Sequence, residues 1–352
     1  MSLTESPPHA PGSAASPNPA PRPGRHAARA LGLLASLVLL LALLAGSLAL
    51  GARPLAPGEV WTGLVEASSP HHAVVHGMRL PRTLLGLLIG AALGLAGGVM
   101  QALTRNPLAD PGLLGINAGA AASVVTALTF LGVQEFTGYV WFALAGAAAV
   151  SVLVYVVGGG RGATPARLAL AGAALNAALF SYVNAVMLLD TSSLDVMRFW
   201  TVGSLAGAPP ATASRVLPFL VLGTVLALAL ARPLNALALG EESAKALGSR
   251  PEHTRAAGVL AVTLLCGAAT AACGPIVFVG LMVPHAVRAL TGPDMRWMLP
   301  YCAVLAPVLL LAADVVGRLV ARPSEVQVGV VTAVLGGPLF LYFVSRRKAV
   351  RA

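Results

Sequence analysis

Long apolar runs almost free of charge restrict the fold of this chain more than any other feature. They fall at 31–50, 83–103, 111–134, 136–160, 168–189, 216–231, 256–273, 275–287, 297–313 and 326–345. Runs of about 17 to 25 residues match the thickness of a hydrocarbon core as helices, and in lipid only a helix or a closed barrel satisfies its own backbone hydrogen bonds. Barrel strands alternate apolar and polar residues, which these runs do not. The expected fold is therefore all-α, a polytopic membrane protein with about ten transmembrane helices. The short eighth run is divided from the seventh only by Gly274-Pro275, because proline interrupts a helix. Cys266, Cys273 and Cys302 lie inside apolar runs without metal or redox spacing and read as small hydrophobes.

Residues 1–30 differ in kind. They are rich in Pro, Ala and Ser, lack periodicity and end in Arg22, Arg25, His26 and Arg29, so they read as a disordered cytoplasmic tail. The first apolar run follows directly, which favours a retained span over a cleaved leader and gives a membrane domain over 31–348. An even number of spans puts both termini on one side. If that side is the cytoplasm, only Arg53, Arg79, Arg82, Arg198, Arg215, Arg318 and Arg322 of the 23 Lys and Arg residues lie outside. That bias favours cytoplasmic termini, and it accounts for the net charge of +10 without nucleic acid as a partner.

Five spans per half is an odd number, so a repeat of one half by the other must be inverted. The break RNPLADP (105–111) follows the second span and CGP (273–275) follows the seventh, the corresponding place. Paired interruptions of this kind mark alternating-access transporters. Asn106, Pro107, Asp110 and Pro111 are expected to shape the first turn, with Gly274 and Pro275 at the second. Pro284 and His285 are expected to close the eighth span.

Several chemistries lack their residues. No G-x-x-x-x-G-K-[ST] supplies a nucleotide site, and no Ser-His-Asp, H-E-x-x-H or G-x-S-x-G arrangement points to an enzyme. Asp314 is the only acid deep in an apolar stretch, so a self-contained secondary transporter driven by protons is a weaker alternative. His71, His72 and His76 sit in a loop without a Cys or carboxylate partner and read as solvated rather than metal-binding.

Against this background LALGEESAKALG (237–248) is conspicuous, with Glu241, Glu242 and Lys245 within five positions. Gly240 and Gly248 punctuate its ends, the acids occupy the first turn and the lysine lies near the last, each matching the helix dipole. Ala244 and Leu247, three apart, are expected to face the same way. A helix of about two turns is marginal alone in water. Either a soluble partner's groove or this protein's own helix ends must hold it.

The chain resembles the FecCD family of permeases from ABC importers for ferric siderophores, haem and vitamin B12. The stretches that carry the resemblance are MRLPRTLLGLLIGAALGLAGGVMQALTRNPLADPGLLGINAGAA (78–121), LNALALGEESAKALG (234–248), GPIVFVGLMVPHAVRALTGPD (274–294), LLLAADVVGR (309–318) and EVQVGVVTAVLGGPLFLYF (325–343). Gln327 departs from the family's E-x-P-x-G motif, and Gly337-Pro338-Leu339 from its Ala-Pro-Phe.

The resemblance implies that the loop 232–255 is a cytoplasmic coupling element, with Gly240, Glu241, Glu242, Ala244, Lys245, Leu247 and Gly248 meeting an ATPase subunit. It also implies that Arg79, Arg82 and Arg318 dock acidic residues of an extracytoplasmic substrate-binding protein, a task suited to the forked, permanently charged guanidinium. The expected partners are a second permease subunit, two ATPase subunits that use ATP and Mg, and membrane lipid, with no cofactor in this chain. Gly172, Asn176 and Ser181 are candidates to line a weakly polar path.

Overall fold

The computed structural model describes residues 24–51, 53–133 and 135–349, and among these every regular element is helical. Seven helical stretches have the length and composition to cross a membrane: α1 (Gly24–Ala49), His72–Thr104, α6 (Phe136–Val157), α7 (Pro165–Leu189), α9 (Thr212–Ala229), α12 (Pro251–Cys273) and α14 (Met295–Val320). Within the second, α3 (His72–Val74) and a π-helical turn, Val75–Arg79, lead into α4 (Leu80–Thr104). The other apolar runs form α5 (Ile116–Leu131) and α13 (Val279–Thr291), of 16 and 13 residues, and α15 (Val328–Ala349), of 22. Outside the spans lie α2 (Pro57–Val65), α8 (Thr191–Trp200), α10 (Ala231–Ala238) and α11 (Glu241–Ala246). The all-α expectation holds; among the described residues seven helices are long and apolar enough to cross a membrane, against an expected count of about ten.

The first helix begins before residue 31. α1 starts at Gly24, and the Tyr301 hydroxyl donates to the Arg29 carbonyl at 2.5 Å while the His26 ring lies 6.0 Å from Trp297. Contacts with α14 thus order residues that composition alone assigns to the tail. The remainder of the tail, 1–23, lies outside the described residues.

The centre of the fold is the seam between α4 and α14. Gly86, Gly90, Gly94 and Gly98 recur every four residues and share one face of α4. A Cβ on Gly90 would lie 2.5 Å from Pro307 Cα, one on Gly94 2.5 Å from Ala306 Cβ, and one on Gly98 3.1 Å from Leu299 Cδ2. The α14 numbers fall as the α4 numbers rise, so the helices are antiparallel. In lipid, where apolar association gains nothing from expelling water, such close packing supplies the attraction, and small residues permit it.

α4 and α12 are antiparallel as well, since Gly258 lies against Leu103. Each is followed by a break and a short helix, α5 in one half and α13 in the other, so the breaks leave opposite ends of the bundle. Both then return into its interior. Pro111 packs on Gly280, which itself lies against Leu93, and Thr270 donates to Asn117 Oδ1 at 2.9 Å. Extended backbone advances about 3.3 Å per residue against 1.5 Å in a helix, so the non-helical residues 274–278 recover the depth that a 13-residue α13 lacks. Irregular backbone at that depth must be satisfied by protein. Ser204 N donates to the Cys273 carbonyl at 2.8 Å, and Asn176 Nδ2 to the Gly112 carbonyl at 3.2 Å.

The turn residues divide. Asn106 Oδ1 accepts from Leu108 N at 3.0 Å, and Asp110 Oδ1 accepts from Gly112 N at 2.7 Å, capping the 3₁₀ turn Pro111–Leu114. Gly274 has φ +70°, and a side chain there would collide with the Trp200 carbonyl; Pro275 begins the non-helical passage beside it. Pro284 is a correction: it lies inside α13, which continues to Thr291, not at a turn. A proline leaves the carbonyl four residues earlier without its helical donor, here that of Gly280. α4 approaches at that point, and a Cβ on Gly97 would overlap the Gly280 oxygen. The proline and the glycine therefore act together, bringing two backbones into Cα–H···O range.

Candidate functional site

Two groups of polar residues occupy opposite ends of the bundle. At the α11 end, α10 packs through Ala231, Leu234 and Leu237, while Asn235 Nδ2 donates to Asp294 Oδ1 at 2.7 Å and Asn235 Oδ1 accepts from Met295 N at 2.9 Å. The Asp294 carboxylate also pairs with Arg296 at 2.9 Å. Chiefly through its hydrogen bonds with Arg296, and secondarily through Asn235, it is held at a pKa of about 2. α10 is thereby fixed to the start of α14.

From this base Gly240, at φ +113°, turns the chain into α11, and Gly248, at φ +77°, turns it out. Gly248 N and Ser249 N close the helix on the carbonyls of Lys245 and Ala244, each at 2.9 Å. Ala244 is 0% exposed and faces the protein. Glu241 pairs with Arg255 of α12, whose guanidinium holds the carboxyl below its ordinary value. Glu242, Lys245, Leu239 and Leu247 are exposed. The short helix is thus held by its own chain on one side and displays charge and leucine on the other. Leu247 does not share a face with Ala244 as expected; it is 67% exposed because α11 ends at Ala246 and the helical spacing no longer applies.

At the opposite end, the three arginines expected to face outward are largely engaged within the chain. Arg79 is buried and donates through Nη1 to the carbonyls of Leu48 and Ala49 at 2.6 and 2.8 Å, and through Nη2 to that of Arg53. Arg318, only 3% exposed, donates to the Ser47 and Leu50 carbonyls at 2.9 and 2.8 Å and to Ser47 Oγ at 2.8 Å. These two guanidiniums receive the last carbonyls of α1, which no intrahelical donor reaches. Arg82 sits between them and the surface. Its Nη2 meets Asp314 Oδ1 at 2.8 Å and its Nη1 meets Glu325 Oε2 at 2.6 Å. Asp314, 1% exposed, also pairs with Arg318 at 2.9 Å.

These side chains border a cavity of about 630 Å³ lined by Arg53, Arg79, Arg82, Arg318 and Glu325 together with the segment 205–210. Sequence reasoning missed Glu325 and Ser47 as partners and read Asp314 only as a lone acid. The i, i+4 spacing of Asp314 and Arg318 was the available signal.

The remaining candidates fall elsewhere. Gly172 faces the Leu113 carbonyl, and Asn176 bonds the same turn, so both serve packing inside the chain; Ser181 is exposed and donates to the Ala177 carbonyl at 2.9 Å. On α7, Phe180 borders a cavity of about 460 Å³ with Asn117, Pro275, Val330 and Val334. His72 and His76 stack at 4.3 Å and bond the Gly63 and Leu64 carbonyls at 3.1 and 3.0 Å. His285 lies within α13, one residue after Pro284. The three cysteines are free and buried.

The chain is 45% identical over 325 residues to the ferric enterobactin transport system permease protein FepD of Escherichia coli (strain K12), covering 91% of this chain and 96% of that protein. It is 38% identical over 334 residues to the hemin transport system permease protein HmuU of Yersinia pestis, covering 92% and 97%. Among solved structures, an inward-facing conformation of a metal-chelate type ABC transporter superposes with a TM-score of 0.79 at 28% identity, covering 90% of this chain and 99% of that one. Residues 38–346 match the FecCD transport family, and the chain belongs to that family of multi-span membrane permeases.

Proposed function

We propose that this chain is the permease subunit of an ATP-driven importer that moves a ferric siderophore or related iron chelate across the bacterial cytoplasmic membrane. In this reading both termini are cytoplasmic, 31–348 is the membrane domain, and two permease subunits, identical or paralogous, enclose the path at their interface. The exposed faces of α7 and α15 and the largely apolar cavity beside Phe180 support that arrangement. The chelate follows from the relatives, whose names specify ferric enterobactin and hemin.

The observation that carries the reading is the division of α11. A helix fixed through Ala244 and the Glu241–Arg255 pair, yet displaying Glu242, Lys245 and Leu247, suits a rigid element that enters a partner's groove. The partner is an ATPase subunit that binds ATP and Mg, and this chain, having no P-loop, transmits the motion. At the other end Arg82 is the arginine best placed to meet an acid of an extracytoplasmic binding protein, with Arg79 and Arg318 shaping the pocket behind it. A proton-driven alternative gains nothing from Asp314, which lies between two guanidiniums.

Co-purification tests the proposal. Tagged and gently solubilised, the wild-type chain should carry a P-loop ATPase with it, and the double substitution Glu241→Lys, Glu242→Lys should lose it while the permease remains in the membrane. Absence of an ATPase from the wild-type preparation would sink the importer reading.

A further inference from the structure

Arg82, the arginine best placed for docking, is already occupied. Its inner edge is held by Asp314, which is buried and shared with Arg318. Its outer edge is held by Glu325, whose side chain is 33% exposed and lies on the wall of the 630 Å³ cavity. Four arginines and one glutamate line that cavity, and Asp314 is the acid behind it. The surplus of positive charge suits a further carboxylate.

We propose that Glu325 is an internal stand-in for a partner's carboxylate: an acidic side chain of the binding protein enters the cavity, takes the outer edge of Arg82 and displaces Glu325. The inference rests on the docking role proposed above and adds what docking does to this chain. One carboxylate replaces another on the same guanidinium, so the exchange needs no unpaired charge in a buried site. The pair that breaks is partly open to water on the Glu325 side, where ion pairs are weaker, whereas the Asp314 pair behind it stays closed.

The consequence lies in what Glu325 leads into. Val326 N donates to the Gly317 carbonyl at 3.1 Å, and Gly329 N donates to the Gly203 carbonyl at 3.1 Å, so the turn 324–329 is tied to α14 on one side and to the segment after α8 on the other. Gly329 lies so close to the Val202 carbonyl that a side chain would not fit. Directly beyond it Val330 and Val334 line the cavity beside Phe180. Release of Glu325 loosens the turn that positions the start of α15, and thereby connects an event on the surface to the wall of the proposed path.

The assembled importer in lipid nanodiscs provides the test, with its binding protein as titrant and a spin label on Ser324→Cys. Ser324 is exposed and the native cysteines are all buried, so labelling is selective. Adding binding protein to the otherwise wild-type complex should mobilise the label. Glu325→Gln should mobilise it beforehand and tighten docking by about fivefold. Arg82→Gln should weaken docking by at least about tenfold, and Glu325→Gln should then have no further effect, the signature of a shared partner.

If Arg82→Gln weakens docking but the label does not respond to binding protein, or Glu325→Gln leaves the affinity unchanged, displacement is wrong and docking stands. If Arg82→Gln binds as tightly as wild type, the docking role itself fails and the displacement with it. Should Glu325→Gln not assemble, the response of the wild-type label decides alone.

Discussion

The two ends of the bundle treat their charges in opposite ways. At the arginine end, three guanidiniums and Asp314 are withdrawn among helix ends, and the Arg82–Glu325 pair stands on the wall of a cavity that Arg53, Arg79 and Arg318 also line. At the α11 end, one carboxylate is anchored to Arg255 while its neighbours Glu242 and Lys245 remain in solvent. Both segments read alike in sequence, as short polar stretches beside apolar runs. The difference lies in what faces them. Arg79 meets the open carbonyls at the end of α1, and Arg318 meets those and the acid of α14. α11 lies on a base of α10 and α12 that offers one guanidinium and one small hole for a methyl group.

Charge withdrawn into the fold should govern stability, and charge displayed should govern assembly. The largest effect is expected from Asp314→Ala, which leaves Arg82 and Arg318 without their buried acid and should cost about 3 to 5 kcal/mol, read as a lowered unfolding midpoint in detergent. A tolerated substitution would mean that water reaches this end, and would erase the contrast. Ala244→Leu follows: overfilling a site with no exposed surface should cost about 1 to 3 kcal/mol, confined to the loop and detectable as faster proteolysis between α10 and α12 together with loss of bound ATPase.

Glu241→Gln should change overall stability by about 1 kcal/mol or less, since its pair is half exposed, while freeing α11 and lowering transport-coupled ATP hydrolysis. The same pair sets an acid response. Arg255 holds the Glu241 carboxyl below its ordinary value, so its contribution is complete above the ordinary glutamate range and is lost as pH falls through the lowered folded-state value. Asp294, held at about 2, loses its contribution progressively as the pH falls from the ordinary aspartate range to that value. Hydrogen exchange across 239–249 should therefore rise as the pH falls below the ordinary glutamate range; exchange that stays flat would contradict the pairing. Smallest in stability, within about 0.5 kcal/mol, should be Glu242→Lys and Lys245→Glu, on the displayed face. Their effect should appear in ATPase co-purification alone, and an equal loss of stability would show that this face is not free.

Much of this architecture was legible in the residues. Charge-free length marked the helices, and Gly274-Pro275 and the prolines of RNPLADP marked breaks that do occur at corresponding places in the two halves. Gly240 and Gly248 marked the ends of α11 because both positions need positive φ. Span count was less legible, because an apolar run of 275–287 looks the same whether it crosses as a helix or begins as extended chain. Pro284 was misplaced for a related reason: proline signals a missing donor, and only the approach of Gly97 reveals that the freed carbonyl has a use. The docking arginines were identified by position and by resemblance, neither of which says that Leu48, Ala49 and Ser47 would reach two of them first.

What the sequence determined by itself is whatever depends on local chemistry: helices where apolar runs must satisfy their own backbone in lipid, breaks where proline removes a donor, and a polar helix where acid and base follow the dipole. Only the tertiary structure decided which charges are spent inside and which are shown. A guanidinium's role depends on the carbonyls and carboxylates within about 3 Å of it, and for Arg79 and Arg82 those include groups of α1, α14 and the turn before α15, from 30 to 243 residues away along the chain.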